Sequence, residues 1–493
     1  MKAIHTIFTI AVALIMLSCE REPKTLFPID INPNAACFHE AQVIEIGYTL
    51  HNAVTGNVSV TASSKAEWIT DIDTSTRGII KVSVDENNDE NRTATITVNA
   101  TGHTKATVEL LQYSTPPEVA NHTLMFYFFG TSLSRYFKTN IADAKEAIST
   151  GILGNNNRVI YLMQDGPNTA TIKEILYDPA TGECIDKELE SITIDGEHIT
   201  IDAIGNNIAK MAQYARAERY GIIFAGHGQG WITRDILNGS SAISTLSLTN
   251  VWHPAIGAEV TRAFGENNVQ VNPYELAEGI EKSGVELDYI LFDACFMSNI
   301  ETIYDLRDQA NYIIASPCEI MGRGFPYHRT LPHLFEDYGK STDYAAAAES
   351  YHIFYRDEYS SNSRCGSIAV YDCREVAALA EATAEVIKSA KSNDEINIKA
   401  LQTYEGQDVH QFYDFGQWVA TVATDSSALE AFNNQLNRCV MAKYTLSTFY
   451  SAYGSYGTYK IDVDIYSGVT TSAPSEAYPD QWRETNWYKA VWE

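Results

Sequence analysis

Two grammars of hydrophobic placement divide the chain. Between about residues 29 and 113, apolar positions alternate with polar ones: Ile80, Val82 and Val84 in one stretch, Ala94, Ile96 and Val98 in the next, then Val108 and Leu110. A period of two puts one face of a strand into a core and leaves the other in water. Turn-forming residues separate these runs, most clearly the Asn- and Asp-rich stretch 86–91. The pattern predicts a small all-β, antiparallel sandwich. Thr115, Pro116 and Pro117 then punctuate a boundary. Beyond it the runs become continuously apolar, at 123–129, 159–163, 220–224, 287–292 and 312–315. Helical patterns precede or follow them, through Ala144 and Ile148, over 204–219 and over 274–282, and a hairpin-like stretch lies near 172–177. Strands that are apolar throughout and reached through helices predict an α/β domain with a mostly parallel sheet covered on both faces. Functional residues of such sheets gather at the carboxyl ends of the strands.

The N-terminus reads differently. Lys2 precedes an apolar run over 7–17, which ends at Leu17, Ser18 and Cys19. A charged start, a short apolar run and a small residue before the cut describe an export signal. The run is too short for an ordinary membrane span of about 20 residues, and no other stretch is long enough. A cysteine directly after the small residue resembles a bacterial lipobox, which implies diacylation of Cys19; Met16 stands where Leu is usual. The organisation expected is a signal peptide over 1–19, a tether over 20–29, the sandwich over 30–114 and the α/β domain over 120–493. The resemblance implies attachment to the outer membrane through the lipid alone. Glu20 and Glu22 resemble a surface-export signal.

Charge narrows the partners. Lys and Arg number 35 against 63 Asp and Glu, a formal charge of -28. Such a surface repels phosphate backbones, so no nucleic-acid partner is expected, while cationic ligands are favoured; solubility alone is the other reading. The cysteines apart from Cys19 and Cys295 lack the paired spacing of a zinc site or the density of a disulfide scaffold. A Cys365–Cys373 bridge is compatible with an oxidising compartment, but nothing demands it.

Two of the apolar strands end in reactive side chains. One delivers His227 between Gly226 and Gly228, and the next delivers Cys295 after Asp293 and Ala294. Thiol attack on a carbonyl needs a thiolate, a proton carrier and donors aimed at the developing oxyanion. The residues after Cys295, through Met297, Ile300 and Ile303, have helical spacing, and a helix N-terminus there would lower the thiol pKa. His227 is the expected acid and base, and the amides of Gly228 and Cys295 are the expected oxyanion hole. A lone His or Cys at a strand end is more often structural; the pair, on successive strands of an exported chain, points to catalysis.

The blocks His227-Gly228-x-Gly230-Trp231, Asp288-x-x-Leu291-x-Asp293-Ala294-Cys295-x-Met297, Glu301, Ala315-Ser316 and Gly324-Phe325-Pro326-Tyr327 resemble clostripain-type cysteine peptidases. Asp414-Phe415-Gly416 and the region around Asn486, Trp487 and Tyr488 extend the resemblance to the C-terminus. It implies a caspase-like fold, Cys295 as nucleophile, His227 as acid and base, and Asp293 as the acid that selects Arg or Lys at P1 in protein or peptide substrates. A carboxylate suits both, gripping Arg bidentately and Lys as a point charge. Asp293 could alternatively cap the following helix. Some relatives carry a second acid in this pocket, for which Glu319 is the candidate. Some are cleaved between the two motifs to mature, and the loop-rich stretch 234–270 offers Arg234 and Arg262 as autoprocessing sites. Some respond to calcium, but the chain has no Asp-x-Asp-x-Asp-Gly loop, so no metal or other cofactor is expected. Trp68, Asn91-Arg92 and a final strand closing on Gln112 resemble the BACON domain of Bacteroidetes surface proteins. That resemblance implies a glycan or mucin ligand; a stalk is the alternative. A non-catalytic adhesion protein with a degenerate caspase-like domain is the competing reading, and the intact dyad argues against it.

Overall fold

The computed structural model describes residues 26–37, 39, 41–51, 58–89, 92–112, 119–153, 157–166, 168–178, 181, 183–194, 199–237, 254–255, 257–263, 270–335, 342–407, 409–453, 459–473, 475 and 477–493. The export segment, Cys19 and the punctuation at 115–117 lie outside them. The chain divides into two compact units. The first holds the residues to Pro116 together with Asp178–Thr181, and the second holds the rest.

The first unit contains two four-stranded sheets. One runs in the order Ile29–Ile31, Gln42–Leu50, Ile79–Val84, Ile69–Asp73, and the other Asn34–Cys37, Ala106–Gln112, Arg92–Ala100, Val60–Ser63. The alternating residues read from the sequence form its core: Ile80, Val82, Ile96, Val98, Val108 and Leu110 are wholly buried. The expectation of a purely antiparallel sandwich needs one correction. Asn34–Cys37 runs parallel to Ala106–Gln112, since the chain crosses between sheets at Asn32 and Pro33 rather than folding back as a hairpin. Trp68, Arg92 and Gln112 come together. The Arg92 guanidinium lies 4.7 Å from the Trp68 ring centre and donates twice to Gln112 Oε1, at 2.8 and 2.9 Å. The planar cation is thus stacked on one side and hydrogen-bonded at its edge.

The second unit is built on a nine-stranded sheet. Its middle five strands, in spatial order Asn157–Gly166, Ala120–Phe128, Ala217–Ala225, Leu287–Asp293 and Ala310–Ala315, are parallel. Ile368–Asp372 and Val440–Tyr444 extend one side antiparallel, and Thr169–Asp178 pairs antiparallel on the other. The parallel strands are buried almost without interruption, as Leu124 through Phe128 show. This is why they read as continuous apolar runs rather than alternations. Two packed groups of helices cover them. One includes Ile201–Tyr214, Pro273–Ser283, Ile300–Leu306 and Asn486–Trp492, and the other Ser134–Ser149, Tyr327–Leu334 and Tyr344–Ile353. Local chemistry fixes several boundaries. Pro273 opens its helix inside a capping box formed by Asn272 and Glu275, and Gly284 closes it in the left-handed region. Trp487, fully buried, meets Tyr304 and Phe415 edge-on and so anchors the C-terminal helix.

One expectation about a helix fails. The helix after Cys295 begins only at Ile300, with Asn299 as its cap accepting from the Thr302 amide. Between them Phe296 takes φ of +61°, the only positive value at a non-glycine among the described residues. Stacking on Phe412, with centroids 4.9 Å apart, and a hydrogen bond from the Phe296 amide to the Cys318 carbonyl hold it there. Such backbone costs about 1–3 kcal/mol and persists only where surrounding contacts fix it.

Candidate active site

His227 and Cys295 leave adjacent parallel strands at the same end, as the register Ala225 to Asp293 requires. Gly228 is needed here for space: a Cβ on it would sit 2.2 Å from the Cys295 carbonyl oxygen and 2.7 Å from its nitrogen. The two backbones therefore lie close enough for their amides to converge. Both do so on one oxygen, the Arg262 carbonyl, Gly228 N at 2.8 Å and Cys295 N at 3.4 Å. The His227 ring lies between Ser132, whose Oγ is 3.0 Å from Nε2, and the Ala263 carbonyl, 3.1 Å from Nδ1. Tyr453 also donates to that carbonyl, at 2.9 Å.

The segment that brings Arg262 here lies in the cleft as an added strand. Thr261 pairs antiparallel with Met321. The Arg262 amide donates to the Ile320 carbonyl at 2.8 Å, and the Gly322 amide donates to the Val260 carbonyl at 2.6 Å. Cys295 is wholly covered beside it, and its Sγ accepts from the Ile320 amide at 3.0 Å. Burial pushes the thiol well above its ordinary value, the Glu319 carboxylate adds to the rise, and the Ile320 amide opposes it. The thiol is thus raised rather than lowered, because the helix expected to depress it starts five residues later and the cleft excludes water.

The Arg262 side chain occupies a closed pocket. Its guanidinium and the Asp293 carboxylate form an ion pair at 2.9 Å with neither side chain exposed. Nη1 also donates to the Asp293 carbonyl at 3.0 Å, Nη2 to Asn140 Oδ1 at 2.7 Å, and Nε and Nη2 to the Gly322 carbonyl. Phe137 presents its ring 5.6 Å away. Asn140 is turned for this role: its amide nitrogen donates to the Arg323 and Phe325 carbonyls, leaving its oxygen for the guanidinium. Tyr327 donates to Asp293 at 2.7 Å. Gly324, at φ of +69°, has room for no side chain, since a Cβ would lie 2.2 Å from Arg262 Nη2. Asp293 therefore faces a guanidinium rather than capping a helix.

Other expected residues lie elsewhere. Arg234 opens the short helix Arg234–Leu237 and pairs with Glu275 at 2.9 Å. Glu319 is no second acid for Arg262. It accepts from Ser451 and the Ala452 amide, and burial pushes its pKa up to about 7. Cys365 and Cys373 are unbridged. The one metal-like cluster among the described residues is Asp143, Glu146 and His328. It lacks the six to eight oxygens that calcium takes, and Arg323 already pairs with Asp143 at 2.5 Å. Ser132, Asn140 and the pairing of Thr261 with Met321 escaped the sequence reading. Asn140 left one trace, a polar residue on the helix face that buries Phe137, Ile141 and Ala144.

Comparison with known proteins places the chain among cysteine peptidases. The clostripain family model matches residues 130–471, and the BACON domain model matches residues 58–112. A secreted C11 cysteine protease from Bacteroides thetaiotaomicron is similar at 29% identity, with a TM-score of 0.65 over 76% of this chain and 99% of that one. An inactive zymogen C11 protease from Parabacteroides distasonis is similar at 26% identity and a TM-score of 0.63, with the same coverage. A search of curated proteins returned no match.

The raised thiol sets a testable behaviour. In an uncut His227→Ala chain, alkylation of Cys295 by iodoacetamide, followed by peptide mapping, is expected to be slow at pH 8 and still rising above pH 9. A rate that levels off near pH 8 would contradict the thiol's placement.

Proposed function

The chain belongs to the clostripain family of cysteine peptidases, and from that premise we propose that it is an endopeptidase that cuts after Arg, and less readily after Lys. Cys295 is the nucleophile, His227 the proton carrier, and the Gly228 and Cys295 amides the oxyanion hole. Asp293 reads the P1 side chain. One observation carries this reading: Arg262 lies in the cleft as a P1 residue would, with its carbonyl oxygen against both amides and its guanidinium against Asp293.

In the reaction His227 takes the thiol proton and Sγ attacks the P1 carbonyl carbon. The negative charge that forms on the oxygen meets two fixed amides, which need no reorganisation at that moment. The carbon–nitrogen bond then breaks as His227 returns the proton to the leaving amine. Water, activated by His227, hydrolyses the thioester and restores the thiol. A guanidinium engages three nitrogens in this pocket, whereas an ammonium offers one point of charge, so Arg outranks Lys.

The same geometry favours Arg262 as the autoprocessing site over Arg234, which is tied to Glu275 within a helix. While the bond to Ala263 is intact, the segment excludes other substrates and keeps Cys295 dry. Cutting it frees the cleft, so the uncut chain is latent.

The activity is tested with fluorogenic peptides carrying Arg, Lys, Asn or Asp at P1. Turnover is expected after Arg and then Lys, with none in Cys295→Ala. Asp293→Asn is expected to lower kcat/KM for Arg roughly 100-fold or more, because a buried cation loses its partner. Turnover after Asn would overturn the role of Asp293. No turnover with any peptide would favour the adhesion reading.

Export is supported by the N-terminal pattern, which lies outside the described residues, and by the secreted relative, whereas anchoring at Cys19 is supported by that pattern alone. We assign a glycan or mucin ligand to the N-terminal unit from the BACON match. Cells expressing the whole chain are expected to incorporate a labelled fatty acid into it and to lose the label in Cys19→Ala. Label retained in the variant would remove the anchor.

A further inference from the structure

The inhibitory strand fills more than the Arg pocket. Resting on the peptidase reading above, Thr261 is the P2 residue of the bound segment and Val260 the P3 residue. Thr261 is 6% exposed, so its side chain is enclosed. Thr261 pairs with Met321, so its side chain shares a face with that of Glu319, two residues earlier, and the hydroxyl helps to offset the rise that burial causes in the Glu319 carboxyl. Glu319 is itself wholly buried and firmly held: Ser451 Oγ donates to it, as does the Ala452 amide, at 3.1 Å to each oxygen. The carboxylate is therefore fixed by residues 451 and 452 on one side and presents remaining acceptor capacity to the P2 side chain on the other. It also follows Cys318 and precedes Ile320, whose carbonyl binds the P1 amide. P1 and P2 recognition thus come from one short stretch.

We propose that Glu319 sets a second specificity, for a hydroxyl-bearing residue, Thr or Ser, at P2 of the substrates this enzyme cleaves. A site that hydrogen-bonds a substrate hydroxyl discriminates against an analogue lacking it far more strongly than a hydrophobic pocket discriminates by a methyl group, because the isostere strands a buried acceptor. Val, the isostere of Thr, fits the volume and fails the chemistry. Asp and Glu are excluded by like charge beside Glu319. The enclosure that leaves Thr261 nearly without exposure also has no room for a long cationic side chain at P2.

The test uses the full chain, self-processed, and P1-Arg fluorogenic peptides with Val at P3 and Thr, Ser, Val, Ala or Lys at P2. At pH 8, above the value of about 7 to which burial raises Glu319, the ratio of kcat/KM for Thr over Val is expected to be roughly tenfold to a hundredfold, the range for a hydrogen bond to a charged acceptor, with Ser close to Thr. In Glu319→Gln, whose acceptor is neutral, that ratio is expected to fall at least threefold. A general loss of structure would lower both rates and leave their ratio unchanged. In the chain itself, Thr261→Val is expected to slow the cut after Arg262 by a similar factor. Equal rates for Thr and Val, a preference for Lys, or a Thr:Val ratio that survives in Glu319→Gln would each overturn the proposal while leaving the Arg specificity standing. Turnover of none of the peptides would instead sink the peptidase reading, and this inference with it.

Discussion

A guanidinium sealed from water has to be paired and fully hydrogen-bonded, since an unpaired charge in that environment costs several kcal/mol. Arg262 meets the requirement with one carboxylate, one side-chain amide and two backbone carbonyls. Much of the cleft follows from that need. Asn140 is oriented by two carbonyls so that its oxygen faces inward. Gly324 leaves the space that a side chain would take from the guanidinium. Tyr327 and the Phe325 amide steady the carboxylate from behind. A pocket so completely furnished for a guanidinium explains why the chain's own segment occupies it.

The backbone register links this pocket to the chemistry. Pairing of residues 260–262 with 320–322 places the Arg262 carbonyl where the amides of Gly228 and Cys295 meet. A shift of one residue would carry Arg262 out of the pocket and its carbonyl away from the amides together. Binding and reaction geometry are therefore one constraint. The strained turn at Phe296 belongs to it, because it directs the chain away immediately after Cys295.

Much of this was legible in the sequence, for physical reasons. Continuous apolar runs betrayed the parallel strands because both of their faces are buried, and His227 and Cys295 stood out because each ends such a run. Gly228 was read as an amide donor beside Cys295, and the space it leaves is what lets the two backbones approach. The helix placed directly after Cys295 was misjudged: Met297 is buried as its spacing suggested, but in the loop that precedes the helix. Glu319 was recognisable as an acid near the motif, yet only the fold reveals that its carboxylate faces Thr261 and not Arg262. Asn140 lies 122 residues from its partner, a separation that no local pattern encodes.

The central claim is that the Arg262 to Ala263 bond is held for cleavage by Cys295 in the same chain. The most direct measurement is mass spectrometry of the purified protein with identification of new chain ends, comparing wild type with Cys295→Ala. The account predicts a wild-type chain divided with Arg262 as a new C-terminus and Ala263 as a new N-terminus, and a Cys295→Ala chain left whole. An undivided wild-type chain that is nonetheless active, or the same cut in Cys295→Ala, would contradict it.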